Sequence, residues 1–227
     1  MNHEFDDYAK NYEVILDKYL WLTGDNNTFF AEYKAKKLTE WYPTKVFESF
    51  KMLDFGCGIG TMTAFVKKEF SGAQVYGIDP SSESIKIAQK RYSDISFQTS
   101  HGTSIDFEDN FFDFVYAAGA FHHIPFSEHE AYKKELLRVL KPGGDFVLFE
   151  LNPRNPGTRF IFNRSPIEKN AKMLQPQYAE SFFKDFGPIT TKYYSFYPNF
   201  LRWLRPTEKY MTKIPFGGLY ACLAVKK

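Results

Sequence analysis

Short apolar runs alternate with amphipathic stretches between residues 51 and 151 of this chain. The runs are five to seven residues long, as strands are, whereas the stretches between them carry apolar residues at helical spacing. Strands that alternate with helices predict βαβ units and a mainly parallel sheet. The predicted strands are 51–55, 73–79, 95–99, 112–118 and 145–151, and the predicted helices are 61–70, 82–92 and 128–140.

The two flanks of this region have different patterns. Apolar residues recur at helical spacing over 4–22 and 27–49, which predicts two helices broken at Gly24-Asp25-Asn26-Asn27. After residue 151 the alternation stops, and the segment 152–170, rich in Pro, Asn and Arg, predicts a loop or lid. Beyond it we predict a helix near 175–186, a strand near 188–196, an irregular stretch over 197–217 and a final strand over 219–226. Because no repeat or long linker interrupts the chain, we expect a single domain.

Composition narrows the classes of function. The 227 residues are 44% hydrophobic and 19% aromatic, which predicts either an aromatic-rich core or rings that also line a cavity or an interface. The 29 basic and 27 acidic side chains give a net charge of +2, which argues against nucleic acid as a partner. The two cysteines lie far apart, and the chain has neither an apolar signal segment nor an apolar run that could span a bilayer. We therefore expect a soluble protein of the reducing cytoplasm.

The segment LDFGCGIG, residues 53–60, places a glycine-rich turn between a predicted strand and a predicted helix. Such turns usually bind a nucleotide, because glycine allows positive φ angles and close approach of a ligand. The spacing is neither the P-loop pattern, which needs a lysine after its last glycine, nor the G-x-G-x-x-G of dinucleotide folds. Asp54, two residues before the first glycine, would repel a pyrophosphate but suits a ligand with an ammonium and a sulfonium group. These features point to S-adenosylmethionine (SAM).

A second carboxylate, Asp79, ends the next predicted strand, 23 residues after Gly56. An acidic side chain at this position can accept hydrogen bonds from both ribose hydroxyls of a nucleoside. It can also cap the helix that begins near Pro80-Ser81-Ser82, and the two roles are compatible. Asp79 therefore supports a ribose-containing ligand without choosing between SAM and NAD.

Four motifs over roughly residues 50–152 resemble class I SAM-dependent methyltransferases: LDFGCGIGTMT, GIDPS, FEDNFFDFVYAAGAFHHI and LKPGGDFVLFE. The resemblance implies an α/β fold with a Rossmann-like, doubly wound sheet of seven strands, the last antiparallel, with N-terminal helices and a C-terminal lid-like insertion. It divides the single domain into an N-terminal helical cap (1–49), a SAM-binding core (50–151), and substrate-side loops with closing strands (152–227). The opening FDDYAKNY also resembles the F-D-x-x-A-x-x-Y entry of small-molecule members, whose first helix folds over the cofactor. A plain amphipathic stripe explains that spacing equally well.

The resemblance also assigns cofactor contacts to residues of this chain. Ala117 and Ala118 would pass beside the sulfonium. Relatives often carry an acidic residue after the third strand for the adenine, but His101 stands there, so His101 itself or the backbone of Gly102 and Thr103 would take this role. The expected cofactor-binding residues are Tyr12, Asp54, Gly56, Cys57, Gly58, Gly60, Asp79, Pro80, Gly102, Thr103 and Ala117, and S-adenosylhomocysteine is the expected product.

The acceptor side has two candidate groups of residues. His122 and His123 follow the fourth predicted strand and are candidate catalytic residues, because histidine titrates near neutrality and can take a hydroxyl proton. The next motif, ELNPRNPGTRFIFNR, resembles methyltransferases of surface glycans and other small polar acceptors. Its Arg154, Arg159 and Arg164 recur at intervals of five and, with Asn152, are the expected acceptor-binding residues. A solvated loop with surface charges is the alternative.

The sequence thus predicts O-methylation of a small polar acceptor, neutral or anionic, such as a sugar or a phosphorylated metabolite. N-methylation of a small amine is the nearest alternative, and a SAM-binding regulatory partner without catalysis is the alternative from another class. The chain has AAGAFHH where adenine N6-methyltransferases carry D/N-P-P-Y/F, which again argues against nucleic acid. No metal site and no membrane span are predicted.

Overall fold

A seven-stranded sheet forms the centre of the computed structural model, which describes residues 4–227. Its strands are β1 (Lys51–Phe55), β2 (Gln74–Asp79), β3 (Ser96–Thr99), β4 (Phe112–Ala118), β5 (Leu140–Leu151), β6 (Thr190–Tyr194) and β7 (Leu219–Val225). The strand order is β3-β2-β1-β4-β5-β7-β6, and β7 alone runs antiparallel to its neighbours. The predicted sheet of seven strands with an antiparallel last strand is confirmed.

Helices cover both faces of the sheet. The α-helices are α1 (Tyr12–Leu20), α2 (Asn27–Trp41), α3 (Thr61–Glu69), α4 (Ser82–Arg91), α5 (His129–Val139), α6 (Pro156–Phe162) and α7 (Pro176–Phe182). Met52 of β1 packs in the core with Leu38 of α2 and Val66 of α3, whereas its neighbour Leu53 packs in the opposite core with Leu136 of α5. Burial on both faces explains why successive residues of the strand, Met52 and Leu53, are both apolar. Within residues 4–227, no helix is both long and apolar enough to cross a bilayer.

The strand order reverses between β1 and β4. Asp54 pairs with Tyr116 and Phe55 with Ala117 across these two strands, so the chain leaves them side by side. From there it runs outward in opposite directions, toward β2 and toward β5. In open α/β sheets such a switch point forms a crevice at the carboxyl ends of the strands, which is where ligands bind.

The predicted helix over 4–22 is wrong in its first half. Residues 4–11 form two 3₁₀ turns, Glu4–Asp6 and Ala9–Asn11, and α1 begins only at Tyr12. The Asp6 carboxylate accepts hydrogen bonds from Ser81 Oγ at 2.7 Å and from Glu83 N at 3.2 Å. A carboxylate is favoured there, at the N-terminus of α4, and this docking outweighs the helical periodicity. We call residues 4–11 the N-terminal strap.

The second predicted helix, 27–49, ends early because of Pro43. A residue that precedes proline is disfavoured in the helical region, and Tyr42 accordingly has φ −125° and ψ 53°. α2 therefore stops at Trp41, and a short 3₁₀ helix, Pro43–Phe47, leads to β1.

The segment 152–170, predicted as a loop or lid, contains the helix α6. Asn155 Oδ1 accepts a hydrogen bond from Thr158 N at 2.9 Å, and Pro156 occupies the first helical position. An asparagine cap followed by proline is a known helix start, so the N-P in this motif marks a helix and not an irregular loop.

Candidate active site

A cavity of about 420 Å³, the first cavity, opens at the carboxyl ends of β1, β2 and β4. The glycine turn with Gly56 and Gly58 lines it, together with the carboxylates of Asp54 and Asp79. It lies at the crevice that the strand order predicts, and its volume is in the usual range for small-molecule sites.

All three glycines of the turn have positive φ angles: 77° at Gly56, 54° at Gly58 and 80° at Gly60. A Cβ at Gly58 would meet no atom within 4 Å, whereas one at Gly56 would lie 2.4 Å from Ala120 Cβ. Gly60 caps α3 and packs on Phe97 instead of lining the cavity. Gly58 thus leaves room for a ligand, while Gly56 and Gly60 allow the turn to pack.

Asp54 faces the first cavity although it is only 2% exposed. Its Oδ2 accepts a hydrogen bond from Thr63 Oγ1 at 2.7 Å, and the Tyr116 hydroxyl lies near the same carboxylate without hydrogen-bond geometry. Burial raises the pKa of Asp54 to about 6, although the Thr63 hydroxyl and the Lys34 ammonium act in the opposite direction. A cationic ligand group beside Asp54 would offset this loss of hydration.

Asp79 joins the glycine turn to the start of α4 at the wall of the first cavity. Its Oδ2 accepts a hydrogen bond from Gly58 N at 2.8 Å, and its Oδ1 accepts one from Ser81 N at 2.9 Å. The cap of α4 is Ser81, whose Oγ accepts from Ser84 N at 3.1 Å, and not Asp79. Asp79 thus fixes the glycine turn against the end of β2 while facing the ligand space.

The predicted adenine contacts are only partly in place. Pro80 lines the first cavity, but Gly102 and Thr103 do not, and Ser100 and Tyr132 line it instead. The Tyr132 hydroxyl donates to the Gly102 carbonyl at 3.0 Å, so Gly102 positions a lining ring from behind.

One further correction concerns the rim of the first cavity. Of the two alanines predicted beside the sulfonium, Ala118 lines the cavity but Ala117 does not, because successive strand residues face opposite sides and Ala117 is buried in the core. Cys57 and Tyr12 line the cavity as predicted, and Phe5 of the strap covers it beside Tyr12.

A second cavity of about 340 Å³ adjoins the first. Both cavities are lined by Tyr12, Asn27, Lys34, Ala118, Gly119 and His123, so they meet where β4 ends. The rest of the second cavity is largely apolar, with side chains from α1, α2 and α6, from the end of β5, from the segment after β6 and from the start of β7. These are Leu16, Leu20, Phe30, Leu151, Ile161, Phe162, Phe196 and Leu219.

Lys34 places an ammonium group at the junction of the two cavities. No ion pair involves it within residues 4–227. Burial lowers the pKa of Lys34, and the more distant carboxylates of Asp54 and Glu150 partly offset this effect. Nothing in the sequence pattern distinguishes this residue from Lys36 and Lys37, which follow it in α2.

Four side chains form a buried cluster at the end of β4, which we call the histidine–glutamate cluster: His122, His123, Glu150 and Glu168. His122 Nδ1 lies 2.5 Å from Glu150 Oε2, and its Nε2 lies 3.2 Å from Glu168 Oε2. His123 Nε2 lies 3.5 Å from the same Glu168 oxygen. Burial lowers the pKa of His122, but the two carboxylates outweigh burial and raise it to about 10. His122, His123 and Glu168 line the second cavity.

The predicted acceptor-binding residues lie elsewhere. Arg154, Arg159 and Arg164 are all exposed, and none lines either cavity. Asn152 is fully buried and structural: its Nδ2 donates to Pro215 O and Gly217 O, at 3.1 and 2.7 Å. The structure therefore brings the two histidines into the second cavity but not the arginines.

Sequence comparison relates the chain to known methyltransferases. The family described as "Methyltransferase domain" matches residues 52–144. A demethylmenaquinone methyltransferase of Chlorobaculum parvum is 31% identical over 75% of this chain and 69% of its own length. A sterol 24-C-methyltransferase of Aspergillus fumigatus is 34% identical over 62% of this chain, and phosphoethanolamine N-methyltransferase 2 of Caenorhabditis elegans is 32% identical over 70%. The chain spans 40% and 38% of the length of these last two relatives.

Solved structures share the fold at low sequence identity. A Thermotoga maritima SAM-dependent methyltransferase, described as a possible histamine N-methyltransferase, matches 98% of both chains with a TM-score of 0.69 and 17% identity. Haemonchus contortus phosphoethanolamine N-methyltransferase 2, solved with SAM, matches 99% of this chain and 60% of that one with a TM-score of 0.67 and 18% identity. With the glycine turn and its two carboxylates, these relatives show that the chain belongs to the class I SAM-dependent methyltransferases and that SAM is its cofactor.

Proposed function

We propose that this chain transfers a methyl group from SAM to a hydroxyl group of a small acceptor that binds in the second cavity. The observation that carries this proposal is the junction of the two cavities at Ala118 and Gly119, with the histidine–glutamate cluster beside it. Small residues at that junction leave room for a nucleophile to approach the cofactor in line, as methyl transfer requires.

The first cavity offers a complementary group to each part of the cofactor. We assign the Asp54 carboxylate to the ammonium group, Asp79 to the ribose hydroxyls, and Pro80 with Tyr132 to the adenine. The open space over Gly58 admits the ligand to the backbone of the turn. When bound, SAM supplies an electrophilic methyl group on its sulfonium.

The histidine–glutamate cluster is assigned to the acceptor hydroxyl. A hydroxyl is a poor nucleophile until its proton is removed or shared, and groups that assist this step typically contribute about 10²–10⁴-fold in rate. His122 and His123, our candidate catalytic residues, both line the second cavity, and Glu168 lies between them. Because the pKa of His122 is raised to about 10, His123 is the one we assign to the hydroxyl proton. Glu150 orients His122 from the side away from the cavity.

The shape and lining of the second cavity define the acceptor class. The apolar walls favour an acceptor with a nonpolar body, and the cluster favours a polar, hydroxyl-bearing end. An anionic group on the acceptor would be received by Lys34, not by the arginines of the earlier expectation. A free sugar, which lacks a nonpolar body, fits this lining less well than an amphiphilic alcohol or phenol.

N-methylation of a small amine is the second candidate. It is favoured by the Glu168 carboxylate, which lines the second cavity and could hold an ammonium group. A screen of hydroxyl and amine acceptors, followed by detection of S-adenosylhomocysteine and the mass of the methylated product, separates the two. SAM binding without turnover of any acceptor would instead support a non-catalytic partner.

A larger side chain in the second cavity should weaken acceptor binding while leaving cofactor binding intact. We expect Ile161→Trp to raise the KM for the acceptor at least tenfold, because Ile161 lines the second cavity and not the first. The dissociation constant for SAM, measured by calorimetry, should stay within about twofold. Phe160→Trp is the matched control, because Phe160 is 40% exposed and outside both cavities. Equal effects of the two substitutions would contradict the assignment of the cavity.

Removal of the exposed arginines should have little effect. We expect alanine at Arg154, Arg159 or Arg164 to change the KM for the acceptor by less than about twofold, because surface substitutions rarely disturb a distant cavity. Lys34→Met, in contrast, should raise the KM for an anionic acceptor about tenfold, equivalent to about 1.4 kcal/mol. Steady-state kinetics on one acceptor would measure both. A large effect of any single arginine would return the acceptor site to the exposed surface of the segment 152–170.

A further inference from the structure

Three ligand-type atoms of the histidine–glutamate cluster converge on one point. One ligand-type atom from each of His122, His123 and Glu168 lies within 4.8 Å of the other two. The two imidazole nitrogens are 3.2 and 3.5 Å from the carboxylate oxygen. Zinc–nitrogen and zinc–oxygen bonds of about 2.0–2.2 Å at tetrahedral angles place neighbouring ligands about 3.3–3.6 Å apart. The two distances to Glu168 therefore already match those of a tetrahedral metal site, and the two imidazoles lie within 4.8 Å of each other.

Two of these atoms are buried without a hydrogen-bond partner. His122 Nε2 and Glu168 Oε2 are within ion-pair distance of each other, yet neither has hydrogen-bond geometry with any group of residues 4–227. The His122 and Glu168 side chains are 3% and 10% exposed, so bulk water does not supply the missing hydrogen bonds. Buried polar atoms without partners are rare and need an explanation, of which an ion is one.

Glu150 completes the arrangement from behind. Its Oε2 lies 2.5 Å from His122 Nδ1, and its Oε1 accepts a hydrogen bond from Phe121 N at 3.1 Å. Metal-bound histidines usually donate their second ring nitrogen to such a carboxylate, which leaves Nε2 free for the metal.

The backbone holds the ligands in place. The histidines belong to a 3₁₀ turn, Phe121–His123, and Glu168 ends another, Pro166–Glu168. A hydrogen bond from Lys172 N to His122 O, 2.8 Å long, ties the two segments together. The ligands therefore come from two short, connected turns and not from mobile surface chain.

We propose that His122, His123 and Glu168 bind a divalent transition metal of the zinc type, that Glu150 orients His122, and that the fourth coordination position faces the second cavity. Two imidazoles and one carboxylate are a common zinc ligand set with an open position. On the proposed function, an acceptor hydroxyl that binds there releases its proton to solvent more readily, because the cation stabilises the oxygen anion. The histidines then act as ligands, and the metal activates the acceptor.

Metal binding can be tested without SAM or an acceptor. Purified protein, stripped with chelator and dialysed, would be titrated with Co²⁺ and Zn²⁺ by absorbance and calorimetry. We expect one equivalent to bind, with the visible absorption bands of tetrahedral Co²⁺. His123→Ala and Glu168→Gln should lose at least 100-fold in affinity, and Glu150→Gln should lose about 10–100-fold. The matched controls His101→Ala and Glu48→Gln change exposed residues outside both cavities and should bind as the unsubstituted protein does.

Two results would overturn the proposal, one from the unsubstituted protein by itself and one from its comparison with the variants. An imidazolium on His122 that bridges Glu150 and Glu168 is the competing arrangement, and it would give no tetrahedral Co²⁺ spectrum and no stoichiometric binding. Affinity equal to that of His123→Ala and Glu168→Gln would overturn it as well. Methyl transfer by fully metal-free protein would refute the role of the metal and leave the proposed function intact. Metal binding without methyl transfer to any acceptor would do the reverse.

Discussion

Replacement of Asp54 by asparagine is expected to weaken SAM binding about 100-fold and, at pH 8, to stabilise the cofactor-free protein. The Asp54 carboxylate is 2% exposed, and its pKa is raised by burial to about 6. Loss of one buried charge-assisted hydrogen bond to the ammonium group would remove about 3 kcal/mol of binding free energy, which corresponds to about 100-fold in affinity.

The stability effect follows from the same pKa. A carboxyl group whose folded pKa lies above its unfolded value of 3.8 contributes stability that is complete below pH 4 and lost as the pH rises through 6. A difference of about two units corresponds to about 3 kcal/mol, which sets an upper limit on the gain at pH 8. Asparagine has no such charge and can still accept a hydrogen bond from Thr63. We therefore expect Asp54→Asn to gain about 1–3 kcal/mol in the free energy of unfolding at pH 8 and little at pH 4.

Calorimetry with SAM and urea unfolding without it, each at several pH values, would test both halves. SAM affinity of the unsubstituted protein should fall as the pH drops through about 6, and that of Asp54→Asn should not. Asp113→Asn is the control for affinity, because Asp113 bonds Lys51 N and Lys141 Nζ at the far end of the sheet. If Asp54→Asn bound SAM with an affinity within twofold of the unsubstituted protein, the assignment of Asp54 to the ammonium group would be contradicted.

Replacement of Glu208 by alanine is expected to cost about 3 kcal/mol of stability and to disrupt the second cavity. Glu208 is 4% exposed, in a 3₁₀ segment, Asn199–Tyr210. Its carboxylate accepts hydrogen bonds from Phe196 N at 2.9 Å, from Tyr197 N at 3.1 Å and from the Tyr33 hydroxyl at 2.8 Å. Alanine would leave three partly buried donors without this acceptor, and each such loss typically costs about 1–3 kcal/mol when the donor is fully buried and less when water can reach it.

The effect should reach the acceptor, because Phe196 and Tyr197 line the second cavity. We expect a melting temperature lower by roughly 6–12 °C and a raised KM for the acceptor, with SAM affinity nearly unchanged. Glu208→Gln, which keeps an oxygen for the two backbone donors, should lose less than half as much stability. Glu48→Ala is the surface control. Equal losses for alanine and glutamine would mean that the hydrogen bonds contribute little and that side-chain volume decides.

The parts of the molecule that the sequence predicts are those specified by neighbours in the chain. Local spacing predicts the first five strands of the chain, β1 to β5. It also predicts the glycine turn and Asp79, because a parallel sheet places the carboxyl ends of its strands together. Where a contact between distant segments decides, the pattern fails. Periodicity over 4–22 predicts one helix, but Asp6 docks on α4 and divides it.

The acceptor site illustrates the same limit. Glu168 enters the cluster from a 3₁₀ turn whose sequence resembles surface loop, and no local signal distinguishes it. The arginine spacing misled for a geometric reason. Only Arg159 lies in α6, whereas Arg154 precedes that helix and Arg164 follows it, so the regular interval does not align the three side chains on one surface. The start of α6, in contrast, was readable: Asn155-Pro156 is a cap followed by a helix-starting proline.

The N-terminal strap affects the order of events in a catalytic cycle. Asp6 anchors it at α4, Phe5 packs edge-on against the His123 ring with centroids 4.8 Å apart, and the next residue of the chain, Tyr12, lines both cavities. One short segment thus forms a wall of both binding spaces. We therefore expect release of S-adenosylhomocysteine and entry of a new acceptor to require movement of this same segment. We also expect ordered kinetics, with the cofactor bound before the acceptor site is complete.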